Sequence, residues 1–345
     1  MRPALALALL AALAGCSVSE PPASPPSAPP ELMKWPALLQ RERPEPDATI
    51  AYGADQMQKV DLWLPAGRGP HRTVLMVHGG CWQTEIADRR IMNWIADDLR
   101  KRGIAVWNID YRGVDRTGGG YPGTFADAAA AADALRTHSE RYKLDIQPLA
   151  AVGHSAGGHL ALWLAARKAA SARSANPLIP RGSPLISADP VPIDTVVSLG
   201  GLPDLELAAT PPGSGCGTEV IEKLVGPPTL SSRNVYADTS VPRLAPLGVR
   251  QVLINGLQDR IIPTVYAEAY AKAMRSAGDK VKVRMIDRTG HVELIAPETA
   301  AWAATVEEIE TALRRHPGES RDLRETHRGA SPRRGLGFRR DDEIR

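Results

Sequence analysis

The chain has 345 residues and a formal net charge of +3, with 43% hydrophobic and 23% charged residues. That composition lies near the globular average, which excludes wholesale disorder and leaves room for one large domain with a substantial core. Residues 316–345 carry eight Arg against six Asp and Glu, so most of the excess charge sits in the tail; no basic stripe with interleaved aromatics runs through the body, which excludes a nucleic-acid partner.

In chain order, residues 1–16 combine a cation at Arg2, an apolar run over 4–13, and the ending Leu13, Ala14, Gly15, Cys16. This is an export signal, and its apolar run is too short to span a bilayer. Its ending resembles the lipobox of bacterial lipoproteins. That resemblance implies cleavage before Cys16, lipidation of Cys16 and, with Ser17 following, attachment to the outer membrane facing the periplasm. A plain secretory signal in which Cys16 is incidental is the alternative. Residues 17–46 are rich in Pro, Ser and Ala, including Pro21, Pro22, Pro25, Pro26, Pro29 and Pro30, and are expected to form a semi-extended tether. Export would place the other two cysteines, Cys81 and Cys216, in oxidising conditions, where a disulfide and two free thiols are both open.

The region 47–315 alternates short apolar runs with amphipathic ones. Strands are predicted over 60–64, 73–77, 104–109, 149–152, 195–199, 251–254 and 281–286, and helices over 91–102, 124–142, 158–170, 265–277 and 297–313. This rhythm implies a three-layer α/β domain, a mostly parallel central sheet with helices on both faces. The stretch 204–247 breaks the rhythm with Pro and Gly and a weak helix over 219–225, and reads as a lid-like or irregular excursion. The tail 316–345 has no sustained periodicity and reads as disordered.

The sharpest local signal is Gly153, His154, Ser155, Ala156, Gly157, placed after a predicted strand and opening a predicted helix. That is the pattern of a nucleophile elbow, whose strained turn needs small flanking residues. A serine hydroxyl attacks only when a base takes its proton and a third group orients that base. With such an elbow the acid follows the serine and the histidine follows the acid. Asp259 and His291 then stand in the loops after the strands 251–254 and 281–286, at the sheet edge where sites of open α/β sheets form. A solvated His291, an Asp259 that merely caps the helix near Thr264, and Asp204 as rival acid are the competing readings. His154 and His159 flank the nucleophile as packing residues rather than bases. The run His78, Gly79, Gly80, Cys81, Trp82 follows the strand 73–77, and its glycines suit backbone amides aimed at an oxyanion, with the amide of Ala156 as second donor; an ordinary glycine turn is the alternative. Trp82 and Tyr121 are candidates to line the substrate pocket.

The stretches His-Gly-Gly-Cys-Trp-Gln at 78–83 and Gly-His-Ser-Ala-Gly-Gly-His-Leu-Ala at 153–161 resemble the esterase and kynurenine formamidase branch of the α/β-hydrolases, and its bacterial feruloyl-esterase-like group. The similarity extends from Val60 to about Leu313. It implies the α/β-hydrolase fold, a triad of Ser155, Asp259 and His291, and oxyanion amides from Gly80, Cys81 and Ala156. Cys81 departs from the third glycine usual in hormone-sensitive-lipase-like esterases, which places a thiol or disulfide beside the acyl site. The expected function is a carboxylesterase acting on small or aryl esters through an acyl-enzyme, with no cofactor or metal and with a lipid anchor as its only link to a membrane. An arylformamidase acting on a formyl amide, a serine peptidase and an inactive binding module are the alternatives.

Overall fold

The structure is a computed structural model that describes residues 31–173, 177–230 and 232–314. The chain divides into two units, Met1–Glu31 and Leu32–Arg345; of the first only Glu31 is described. The expected export signal, the lipidation site Cys16, the first part of the tether and the tail 316–345 lie outside the described residues.

Among the described residues eight strands form one sheet: β1 Ala48–Ala51, β2 Lys59–Trp63, β3 His71–Val77, β4 Ala105–Ile109, β5 Leu144–His154, β6 Thr195–Leu199, β7 Arg250–Gly256 and β8 Val281–Ile286. Their order is β1-β2-β4-β3-β5-β6-β7-β8. The β1–β2 and β2–β4 pairs are antiparallel; β4, β3, β5, β6, β7 and β8 run parallel. The helices are α1 Trp35–Leu39, α2 Asn93–Lys101, α3 Gly123–Tyr142, α4 Ala156–Ala172, α5 Leu205–Ala208, α6 Thr218–Val225, α7 Val265–Ser276 and α8 Ala300–Ala312.

Alternation along β3 shows why the inner strands carry apolar runs. Leu75 and Val77 point into a core shared with Phe125 and Leu135 of α3, Leu160 and Trp163 of α4, and Tyr270 and Met274 of α7. Val74 and Met76 point the other way, onto Ile95 and Leu99 of α2 and Trp302 and Ile309 of α8. Both faces of the sheet are therefore covered, as a parallel sheet built from crossover helices requires.

All seven predicted strands form. The strand that the sequence pattern omits, β1, is a four-residue edge strand whose residues alternate between half-buried and exposed, so it shows no apolar run. The expected tether over 17–46 needs correction in its described part. Pro36 sits in the first turn of α1, where the missing N–H costs nothing. Leu38 is fully buried in the α2/α8 core, the Trp94 indole donates to the carbonyl of Glu42 at 3.0 Å, and the Asn93 amide donates to that of Pro44 at 2.9 Å. Arg41 pairs with Glu298 near α8. These contacts join residues far apart in the chain, so local composition does not report them.

The irregular excursion over 204–247 is also tied down. Cys81 and Cys216 form a disulfide across 135 positions, and the Gly215 amide donates to the carbonyl of Ile261 at 2.7 Å. Closing so long a loop stabilises the fold by roughly 2–5 kcal/mol, chiefly by restricting the unfolded chain.

Candidate active site

The inner strands end at a common edge, and β5 runs directly into α4 through Ser155. Ser155 has φ 56° and ψ −122°, a conformation few residues with a side chain adopt, and its N–H donates to the carbonyl of Leu199 on β6 at 2.8 Å. Two glycines allow this turn. A Cβ on Gly157 would lie 2.2 Å from the carbonyl oxygen of Val77, and one on Gly79 would lie 2.9 Å from the Cβ of Ser155. The loop after β3 and the start of α4 therefore approach to backbone contact, which only glycine permits.

Asp259, in the loop after β7, is held on both carboxylate oxygens. Its Oδ1 accepts the amides of Ile261 and Ile262, each at 2.9 Å, and its Oδ2 accepts from Nδ1 of His291 at 2.6 Å. All three groups, Ser155, Asp259 and His291, are buried to 6% exposure or less. With Nδ1–H committed to Asp259, Nε2 is the nitrogen left with a free lone pair. Among the described residues the Ser155 hydroxyl has no hydrogen-bond partner, and Ser155 and His291 line one cavity of about 460 Å³. The rival acid, Asp204, is occupied elsewhere: its carboxylate caps α5 by accepting from the Leu207 amide, and accepts from the Ser240 hydroxyl, each at 3.1 Å.

The loop after β3 turns through three consecutive residues of positive φ, Gly80 at 106°, Cys81 at 50° and Trp82 at 55°. Gly80 and Cys81 line the same cavity as Ser155, and Ala156 opens α4, where first-turn amides have no intrahelical acceptor. His78 fixes the loop. Its ring bridges Asp110 Oδ1 at 2.9 Å and the carbonyl of Gly79 at 2.6 Å, stacks on Tyr111, and receives support from the Tyr111 hydroxyl donating to its own carbonyl. Arg89 completes the network on Asp110 Oδ2 at 2.9 Å.

Two expected pocket residues require correction. Trp82 is fully buried with its indole edge-on to His159, and Tyr121 is drawn away by its hydroxyl donating to Asp238 at 2.7 Å. Adjacency in sequence to a site motif does not fix side-chain direction. The cavity is walled instead by residues with no chemical signature in the sequence: Trp35 and Leu39 of α1, Ile86, Ile91, Gly215 and Ile261. The disulfide sets Gly215 in that wall by holding the excursion against Cys81.

His154 and His159 serve as neutral packing groups. His154 Nε2–H donates to the backbone carbonyl of His291 at 3.1 Å, and His159 Nε2–H donates to that of Thr239 at 2.8 Å. Burial holds the His154 imidazole well below its ordinary range, with His291 nearby adding to the effect, and burial pushes His159 down to about 4. The unfolded chain binds these protons near pH 6.5, so between pH 6.5 and 4 it holds more protons than the folded one and stability falls on acidification. For His159 alone the loss by pH 4 is about 3 kcal/mol. We expect the pH dependence of urea unfolding to lose about one proton of slope in this window in His159→Gln, which keeps a donor for Thr239; an unchanged slope would show that His159 titrates normally in the fold.

The BD-FAE family model matches residues 60–274. No curated protein matches the chain. Among solved structures, a truncated carbohydrate esterase from gut microbiota is similar at 17% identity and TM-score 0.59, covering 79% of this chain and 98% of that one. Esterase 2 from Thermogutta terrifontis, phosphonylated by sarin, is similar at 19% identity and TM-score 0.59, with 79% and 95% covered. Esterase B from Lactobacillus rhamnosis gives 18% identity and TM-score 0.64, with 84% and 92% covered. At these identities the likeness is one of fold.

Proposed function

Because the chain belongs to the BD-FAE family, we propose that it is a serine hydrolase of carboxylic esters, with Ser155 as nucleophile, His291 as base and Asp259 as the group that orients His291. The observation that carries this reading is the Asp259–His291 hydrogen bond at 2.6 Å, on the wall of the cavity into which the elbow presents Ser155. Ester hydrolysis then proceeds in two halves. The Ser155 hydroxyl attacks the carbonyl carbon while His291 Nε2 takes its proton, and the carbonyl oxygen gains charge against the amides of Ala156 and of Gly80 or Cys81. His291 returns the proton to the departing alcohol, and water, activated by the same nitrogen, releases the acid from Ser155. A Ser155–His291 hydrogen bond is expected to form when substrate fills the cavity.

The three solved structures named above are esterases by name, which favours an ester over a formyl amide. Purified protein is expected to turn over p-nitrophenyl acetate at least tenfold more efficiently, in kcat/KM, than N-formylkynurenine. The reverse preference would assign the site to an arylformamidase.

The location belongs to the same reading. The ending of residues 13–16 supports export and a lipid anchor on Cys16, which would hold the domain at the outer membrane facing the periplasm. Among the described residues no helix is long and apolar enough to cross a membrane.

A further inference from the structure

Residues 32–46 lie before the stretch that the family model matches, yet three of them, Trp35, Leu39 and Arg43, wall the cavity that holds Ser155. Trp35 and Leu39 stand one helical turn apart on α1, and Arg43 follows in the irregular chain beyond it. This strap is anchored through buried Leu38, the Arg41–Glu298 pair and the bonds from Asn93 and Trp94, so its side chains stand in fixed places. Trp35 meets the ring of His291 edge-on at 6.4 Å between centroids, directly beside the reacting groups.

Arg43 is the anomaly in this wall. Its guanidinium lies over the Trp94 ring at 5.3 Å, and its Nε is buried without an acceptor. Among the described residues it makes no ion pair or hydrogen bond. A half-buried cation normally finds a carboxylate, because removing it from water without one is costly. The other charges of the cavity do not supply it: Asp88 is taken by Arg90 at 2.6 Å, and Glu85 stands exposed at the rim. A guanidinium with open donors, in the same cavity wall as apolar Trp35 and the nucleophile, matches a substrate that is anionic at the end remote from its ester.

We propose that Arg43 is a specificity-determining residue, receiving a carboxylate or similar anionic group of the substrate while Trp35 packs against the part between that group and the ester carbonyl. This rests on the hydrolase reading and narrows its substrate class to esters carrying a negative charge. Arg43 touches substrate but no reacting atom, so its removal acts mainly on KM.

The test uses the purified full chain and two matched pairs of esters. The pair 4-acetoxybenzoate and p-tolyl acetate places the charge on the alcohol side, and monomethyl terephthalate and methyl 4-methylbenzoate place it on the acyl side. In Arg43→Gln the ratio of kcat/KM for the anionic over the neutral ester is expected to fall tenfold or more in at least one pair, through a raised KM. Arg43→Lys, which keeps a cation and a long stem over Trp94, should retain part of that ratio, and Arg43→Glu should lower it further. A ratio within twofold of the native value in both pairs for Arg43→Gln and Arg43→Glu would overturn the assignment. Absence of any ester turnover by the native chain, p-nitrophenyl acetate included, would overturn the hydrolase reading and this inference with it.

Discussion

Ser155→Ala is expected to lower kcat for ester hydrolysis by about 10⁴- to 10⁶-fold, the range seen when the nucleophile of such a triad is removed. The substitution leaves the fold intact for a specific reason. The turn at φ 56° is imposed by the closeness of β5, α4 and the loop after β3, and alanine brings the same Cβ without the hydroxyl. Thermal melting should therefore coincide with that of the native chain while turnover of p-nitrophenyl acetate collapses. Near-native turnover with an unchanged melt would assign the chemistry to another group.

Asp259→Asn is expected to cost about 10⁴ in kcat. Oδ1 of Asp259 already accepts two amides, so a carboxamide there must keep its oxygen on Ile261 and Ile262 and turn its NH2 toward His291. An NH2 facing Nδ1 selects the tautomer with the proton on Nε2, and that nitrogen can no longer accept from Ser155. Asp204 separates this effect from a general loss of an acidic group near the sheet edge. Because its carboxylate caps α5, Asp204→Ala should cost about 1 kcal/mol of stability and alter kcat by no more than a few-fold. Parallel steady-state rates and urea unfolding of the two variants give the comparison, and a larger rate loss in the Asp204 variant would reverse the choice of acid.

The parts of this site legible in the sequence are those whose physics is local. Small residues around Ser155 mark the elbow because backbone passes backbone there; β6 announces itself because a strand covered on both faces is buried along its whole length, and β8 because Val281 and Val283 alternate with Lys282 and Arg284 at the sheet edge. Chain order then reduces the acid and base to Asp259 and His291, and the structure joins those two directly. The cavity wall is different. Trp35 and Arg43 lie in a Pro-rich stretch that shows only one short turn of helix, and their placement depends on Glu293, Glu298 and Trp94, up to 260 positions away. Trp82 and Tyr121 show the converse: aromatic residues beside glycine-rich loops, turned inward by His159 and Asp238. In the sequence alone the Cys81–Cys216 pair is equally open as a bond or two thiols, since a separation of 135 positions carries no geometric information.

The most direct measurement is covalent capture. Incubating the native chain with a fluorophosphonate and mapping the modified peptide by mass spectrometry should place a single stoichiometric adduct on Ser155, absent from Ser155→Ala and slowed strongly in Asp259→Asn. An adduct on a different serine, or none while esters are still hydrolysed, would contradict the assignment of Ser155 as nucleophile.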